Sequence, residues 1–121
     1  MMDHIVRASF ANSGQICLCG SRIFVPTSRY DEFAQMFTWN VENLVVGNPH
    51  DESTNMGSLI SIEHRQKVES YIDLAVEEGG QILTGGTSTQ YPVPDVPDGS
   101  AFLRPTVIGG LAPESLSLIH I

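Results

Sequence analysis

Two thiols stand close together near the start of the chain. Cys17 and Cys19 are separated by one residue and follow the turn-forming run Asn12-Ser13-Gly14-Gln15. Cysteine reacts as its thiolate, and a thiolate is a strong nucleophile where a bent backbone leaves it partly exposed beside N–H dipoles. Asn, Ser and Gly in succession supply such a bend. Such a bend is a place where a reactive thiol at Cys17 could stand. Cys19, next to an apolar run, reads as a small buried hydrophobe. Spacing alone would make Cys17 an inert buried thiol as well.

Other chemistries have weaker support. A metal centre would need Cys17, Cys19 and two of His4, His50, His64 and His120, and these histidines lack paired ligand spacing, so no metal is expected. Cysteines one residue apart do not easily bridge each other, so no disulfide framework is expected. Gly85-Gly86 lacks the strand–GxGxxG–helix setting of a phosphate loop. Ser28 has no His or Asp at a useful spacing and reads as a helix cap. Trp39 reads as a partly buried helix residue, and Glu77 and Glu78 as solvated carboxylates near a helix end.

Composition narrows the class. The chain has 121 residues, 41% of them hydrophobic and 17% charged, with a formal net charge of −8. These values suit one small globular unit. The acidic balance makes nucleic acid or an anionic membrane surface an unfavourable partner. No apolar run reaches membrane-spanning length, and Met-Met-Asp-His-Ile does not resemble a signal peptide. A reducing, cytoplasmic compartment is the expectation.

The elements that must position the thiols follow from periodicity. Residues 3–11 read as a short helix with Asp3 as N-cap. Ser21-Arg22-Ile23-Phe24-Val25 reads as a buried strand closed by Pro26. Ser28, with Asp31 as capping-box partner, should open a helix running to about Asn43, with Tyr30, Phe33, Ala34, Phe37, Val41 and Leu44 on its apolar side. Gly47-Asn48-Pro49 is a turn. Ser61 should cap a helix that buries Val68, Tyr71, Ile72 and Ala75 and stops at Gly79-Gly80. Residues 81–84 read as a short strand, 87–100 as a loop, and 101–108 as an edge strand interrupted by Pro105. The alternation predicts an α/β fold with a partly parallel sheet.

The run Phe10, Gly14, Gln15, Cys17, Leu18, Cys19, Ser21 closely resembles the cysteine active-site signature of the aldehyde dehydrogenase superfamily. That signature is an aromatic residue, three positions, Gly, Gln, any residue, then the nucleophilic Cys. The resemblance continues in Val46-Gly47-Asn48-Pro49, in Asn55-Met56-Gly57-Ser58-Leu59-Ile60 (where Ser58 stands in place of a usual Pro), in Glu78-Gly79-Gly80 and Gly85-Gly86, and in Phe102-Leu103-Arg104-Pro105-Thr106-Val107. Residues 16–25 are most similar to the semialdehyde-oxidising branch typified by aminomuconate-semialdehyde dehydrogenase.

This resemblance implies part of a three-layer α/β sandwich, the catalytic domain around the active-site cysteine. It implies oxidation of an aldehyde or semialdehyde through a thiohemiacetal and a thioester on Cys17, with NAD as cofactor and NADP not excluded. It places His64 where the family can contact the cofactor ribose; a solvated histidine at a helix start is the competing reading. It also implies a homo-oligomeric parent enzyme. The family's Glu-Leu-Gly-Gly and Glu-Ile-Phe-Gly-Pro motifs are absent. Residues 1–114 are therefore expected to be a partial catalytic domain, inactive alone, and 115–121 a non-native tail. The alternative is a catalytically inactive α/β interaction module that keeps the cysteine loop and binds a full-length partner.

Overall fold

The computed structural model describes residues 1–119; His120 and Ile121 lie outside the described residues. Three helices and two short strands follow in the order α1 (Met2–Phe10), α2 (Tyr30–Glu42), α3 (Ile62–Glu77), β1 (Gln81–Thr84) and β2 (Val107–Gly109). β1 and β2 pair antiparallel, Gln81 opposite Gly109 and Ile82 opposite Ile108, with an irregularity between Ile82 and Thr84.

The strands separate two helical layers. Val107 packs with Val6, Phe37 and Val41 of α1 and α2. Its neighbour Ile108, on the opposite face, packs with Ile82 against Ile72 of α3 and with Leu59 and Leu103. Alternating side chains thus serve two cores, as strand geometry requires. This is the expected partial α/β three-layer arrangement. The sheet itself differs from expectation: its ladder is antiparallel, and parallel pairing among the described residues is confined to a single bridge, Val46 to Met56. Of the edge strand expected over 101–108 only 107 and 108 join a ladder, in β2, which runs on to Gly109; Pro105 has no N–H to give to a ladder.

α3 forms as its sequence dictates. Ser61 Oγ accepts the His64 N–H at 3.0 Å, capping the helix. The Glu63 carboxyl, in the same first turn, is held below its usual range by its own backbone N–H and by Ser61. At the far end Gly79 takes φ +93°, which lets the chain leave the helix into β1.

α2 forms without the expected cap. Residues 27–29 make a tight turn in which the Arg29 N–H donates to Pro26 O at 2.9 Å. The α-helix therefore starts at Tyr30, its N-cap falls on Arg29, and no side chain caps it. Asp31 and Glu32 in the first turn favour the helix dipole instead. Phe33, Phe37 and Val41 pack as expected; Phe37 stacks on Phe33 at 5.6 Å and on Phe10 at 6.4 Å. Trp39 is 65% exposed, because it lies on the opposite side of the helix from Phe37 and Val41. At the start of α1, Met1 takes the N-cap position with no side-chain hydrogen bond, and Asp3 sits in the first turn.

The strand expected over 21–25 does not form. The segment is outside any ladder, Ile23 is half-exposed and Phe24 is 86% exposed. Its side chains favour a strand, but a strand also needs a ladder partner, and the segment pairs with no described strand.

Glu77 is solvated as expected, whereas Glu78 is not: its carboxylate accepts the N–H groups of Leu116 and Ser117 at 2.6 and 2.8 Å. A buried polar contact, unforeseen in the sequence, holds the loop after β1. Arg65 lies 3.6 Å from Glu69, donates to Ser88 Oγ at 3.3 Å, and Glu69 accepts the Ser88 N–H at 2.6 Å.

Candidate active site around Cys17

The cysteine loop is built by three left-handed residues in a row. Asn12, Ser13 and Gly14 take φ of 51°, 57° and 72°. Left-handed backbone is costly except at Gly and, less so, Asn, so the run reverses the chain sharply at the end of α1. Phe10, the aromatic residue of the signature, anchors the loop by packing into two cores, beside Phe37 and Val41 on one side and Val46 and Met56 on the other.

Cys17 sits at the first central position of the next turn, closed by the Cys19 N–H donating to Ile16 O at 3.0 Å. The Cys17 thiol is exposed. No hydrogen bond among the described residues engages its backbone N–H or its sulfur. Cys19 is half-buried, and its thiol faces Ala11 O at 3.8 Å. One thiol is thus presented and the other turned inward, on either side of Leu18, which is 87% exposed.

Two side chains tie this loop to residues 57–60. Ser13 Oγ donates to Gly57 O at 3.3 Å and lies 3.5 Å from Ser58 O, and Gln15 Oε1 accepts the Ile60 N–H at 3.2 Å. Sequence reading places Gln15 in a motif but cannot reveal its partner, 45 positions away.

His64 is half-buried and lines a cleft of about 400 Å³ with Ser13, Gly14, Gln15, Leu59 and Tyr71. Cys17 is not among the cleft's lining residues. The structure brings His64 to the loop preceding the cysteine, and leaves the thiol on the outer side. Gly85-Gly86 is no phosphate cradle: a Cβ on Gly85 would collide with Pro105 O and Thr106, and one on Gly86 would come 2.7 Å from Tyr91. The turn is filled by its own chain. These residues do not make a cofactor site by themselves. Among the described residues no cluster of His, Cys, Asp and Glu is arranged to hold a metal ion, and His120 lies outside them.

The model of the aldehyde dehydrogenase family matches residues 1–118. The chain is 47% identical over 110 residues to 2-aminomuconic semialdehyde dehydrogenase of Mus musculus, covering 91% of this chain and 23% of that protein. It is 42% identical over 115 residues to 2-aminomuconic 6-semialdehyde dehydrogenase of a Pseudomonas species, covering 95% and 23%. Its structure is similar to betaine aldehyde dehydrogenase from Staphylococcus aureus in complex with NAD+, with TM-score 0.85 and 34% identity over 99% of this chain and 23% of that one. A double mutant of the same enzyme, with a BME-modified cysteine, gives TM-score 0.85 at 37% identity. The chain thus spans about 23% of the length of the relatives it matches, and it belongs to the aldehyde dehydrogenase family.

Proposed function

We propose that the chain is the cysteine-bearing segment of a semialdehyde dehydrogenase catalytic domain. Cys17 would be its nucleophile and NAD, or NADP, its hydride acceptor. One observation carries the reading: the exposed Cys17 thiol stands on a turn with its own N–H unengaged. Thiolate attack forms the C–S bond and moves the carbonyl electron pair onto oxygen. The Cys17 N–H, already free, donates to that oxygen as charge develops. The resulting thiohemiacetal is the species whose oxidation gives a thioester, which water cleaves to the acid.

The cofactor would be held chiefly by parts of the enzyme that this chain does not span, with His64 at its ribose edge. The names of the relatives support a semialdehyde as substrate. Residues 1–114 are the catalytic part in this reading, 115–121 a non-native extension, and the whole enzyme a cytoplasmic homo-oligomer.

The purified chain tests the reading directly. Exposed to p-nitrophenyl acetate it should take up one acetyl group at Cys17 and release p-nitrophenolate, and Cys17→Ser should abolish this. It should not reduce NAD or NADP with any aldehyde. Acetylation that survives Cys17→Ser, or that maps to Cys19, would remove Cys17 from the role. Cys17-dependent cofactor reduction would show that the chain holds more of the machinery than proposed.

A second reading, an inactive module that binds a full-length partner, is favoured by segment 21–25, which joins no ladder and whose Phe24 is 86% exposed. Co-elution of the chain with an intact homologue, lost on Phe24→Ser, would support it.

A further inference from the structure

We propose that Gln15 is a positioning residue for the cysteine turn: its side chain clamps the turn to residues 57–60, so that the Cys17 thiol and its free N–H are presented together. The inference deepens the reading of Cys17 as nucleophile and rests on it.

The geometry singles out Gln15. The other hydrogen bonds of the loop stay within it or return to α1: Gln15 N–H to Asn12 O, Cys19 N–H to Ile16 O, the Cys19 thiol to Ala11 O, and Gly20 N–H to Ala8 O. Of these, Gly20 N–H to Ala8 O ties the end of the loop back to α1, and none reaches beyond the α1 end of the fold. The long-range ties are Ser13 Oγ to Gly57 O and Ser58 O, at 3.3 and 3.5 Å, and Gln15 Oε1 from Ile60 N–H, at 3.2 Å. Ser13 acts before the left-handed run ends at Gly14. Gln15 acts after it, next to Ile16, whose carbonyl closes the cysteine turn. Segment 57–60 is a firm anchor, because Leu59 is buried against Ile72 and Leu103 and its N–H donates to Ala101 O at 2.8 Å.

The chemistry makes the role separable from mere exposure. Alkylation by iodoacetamide needs only an accessible thiolate. Acyl transfer from an ester also needs an oxyanion donor held in line with the attacking sulfur. A clamp on the turn should therefore matter for acylation and hardly at all for alkylation.

The test uses the intact chain with Gln15→Met, which keeps length and removes the acceptor, and Gln15→Glu, which keeps a carboxyl oxygen for the Ile60 N–H. Loss of one such bond should speed amide exchange at Ile60 and Cys19 about tenfold in Gln15→Met, and lower the ratio of Cys17 acylation to alkylation about tenfold. Gln15→Glu should restore both to within about twofold, and amides of α1 should keep their wild-type protection in both variants. The proposal is overturned if Ile60 exchange does not change in Gln15→Met, or if Ile60 is released while Cys19 exchange and the reactivity ratio stay at wild-type values. It is also overturned if α1 loses protection in step, which would mean a general loss of fold. Absence of Cys17 acylation in the wild type would remove the nucleophile reading alone, and Cys19 exchange would still decide whether Gln15 holds the turn.

Discussion

Residues 21–25 and 81–84 carry the same kind of sequence and meet different fates. Ser21-Arg22-Ile23-Phe24-Val25 and Gln81-Ile82-Leu83-Thr84 are both short, β-favouring and bounded by turn residues. The second lies against Val107, Ile108 and Gly109, forms a ladder and packs on α3 through Ile82. The first has no ladder, and its Phe24 stands out while Phe37, thirteen positions on, is 4% exposed. The difference teaches that composition makes a segment fit for a strand, whereas pairing and burial are decided by what the fold brings alongside. Residues 21–25 also line an open groove of about 430 Å³ with Tyr30, Phe33 and Val107.

The sharpest way to break that contrast is to exchange the costs. Phe37→Ala removes a ring from the α1–α2 core and should destabilise the chain by about 3–5 kcal/mol. Phe24→Ser should change stability by no more than about 0.5 kcal/mol while lowering self-association. Urea unfolding followed by circular dichroism checks both. Equal losses at the two positions would mean that residues 21–25 are covered in solution.

A smaller effect probes the paired side of the comparison. Gly85 ends β1 at φ +80°, with Pro105 and Thr106 where a Cβ would go. Gly85→Ala should cost about 1–3 kcal/mol through strained backbone alone. The same substitution at Gly20, where nothing lies within 4 Å of an added Cβ, should be nearly neutral. A neutral Gly85→Ala would show that the β1–β2 end is looser than its contacts indicate.

Smaller again is the capping contrast. Ser61→Ala removes the acceptor of the His64 N–H and should cost about 1 kcal/mol. Ser28→Ala removes no cap, and thermal unfolding should not register it.

These contrasts mark how far the sequence was legible. The three helices and the turn at 12–14 followed from periodicity, the Ser61 cap and consecutive turn-formers, all of them local signals, whereas the exposure of the Cys17 thiol did not follow from spacing. What escaped was long-range: the absent partner of 21–25, the antiparallel pairing of β1 with β2, the tie of Gln15 to Ile60, and the contact of Arg65 and Glu69 with Ser88. A hydrogen bond between residues dozens of positions apart leaves no mark in a single sequence. Ser28 misled for a local reason: Arg29 closes a tight turn on Pro26 before the α-helix begins, so the capping-box spacing starts one residue early.

The smallest effect is the most specific, and it concerns the C-terminal segment. Residues 116–118 form a tight turn whose first two N–H groups, those of Leu116 and Ser117, both donate to the Glu78 carboxylate just past α3. Burial pushes the Glu78 carboxyl up, but hydrogen bonds from Ser117 and Leu116 outweigh it and hold it below its ordinary value of 4.5. A carboxyl depressed in the folded state contributes stability that is complete above its unfolded value and is lost as pH falls through the folded one. Docking of residues 115–119 should therefore be unchanged from neutrality down to about pH 5, and should weaken only as the pH falls below the ordinary glutamate range. Amide exchange at Leu116 and Ser117 reports this directly, compared at each pH with an α3 amide to remove the intrinsic pH dependence of exchange. Glu78→Gln should abolish the acid-dependent loss, while Glu77→Gln, at a solvated neighbour, should leave it as it is. Acid-sensitive protection that persists in Glu78→Gln would assign the anchor of the segment to another group.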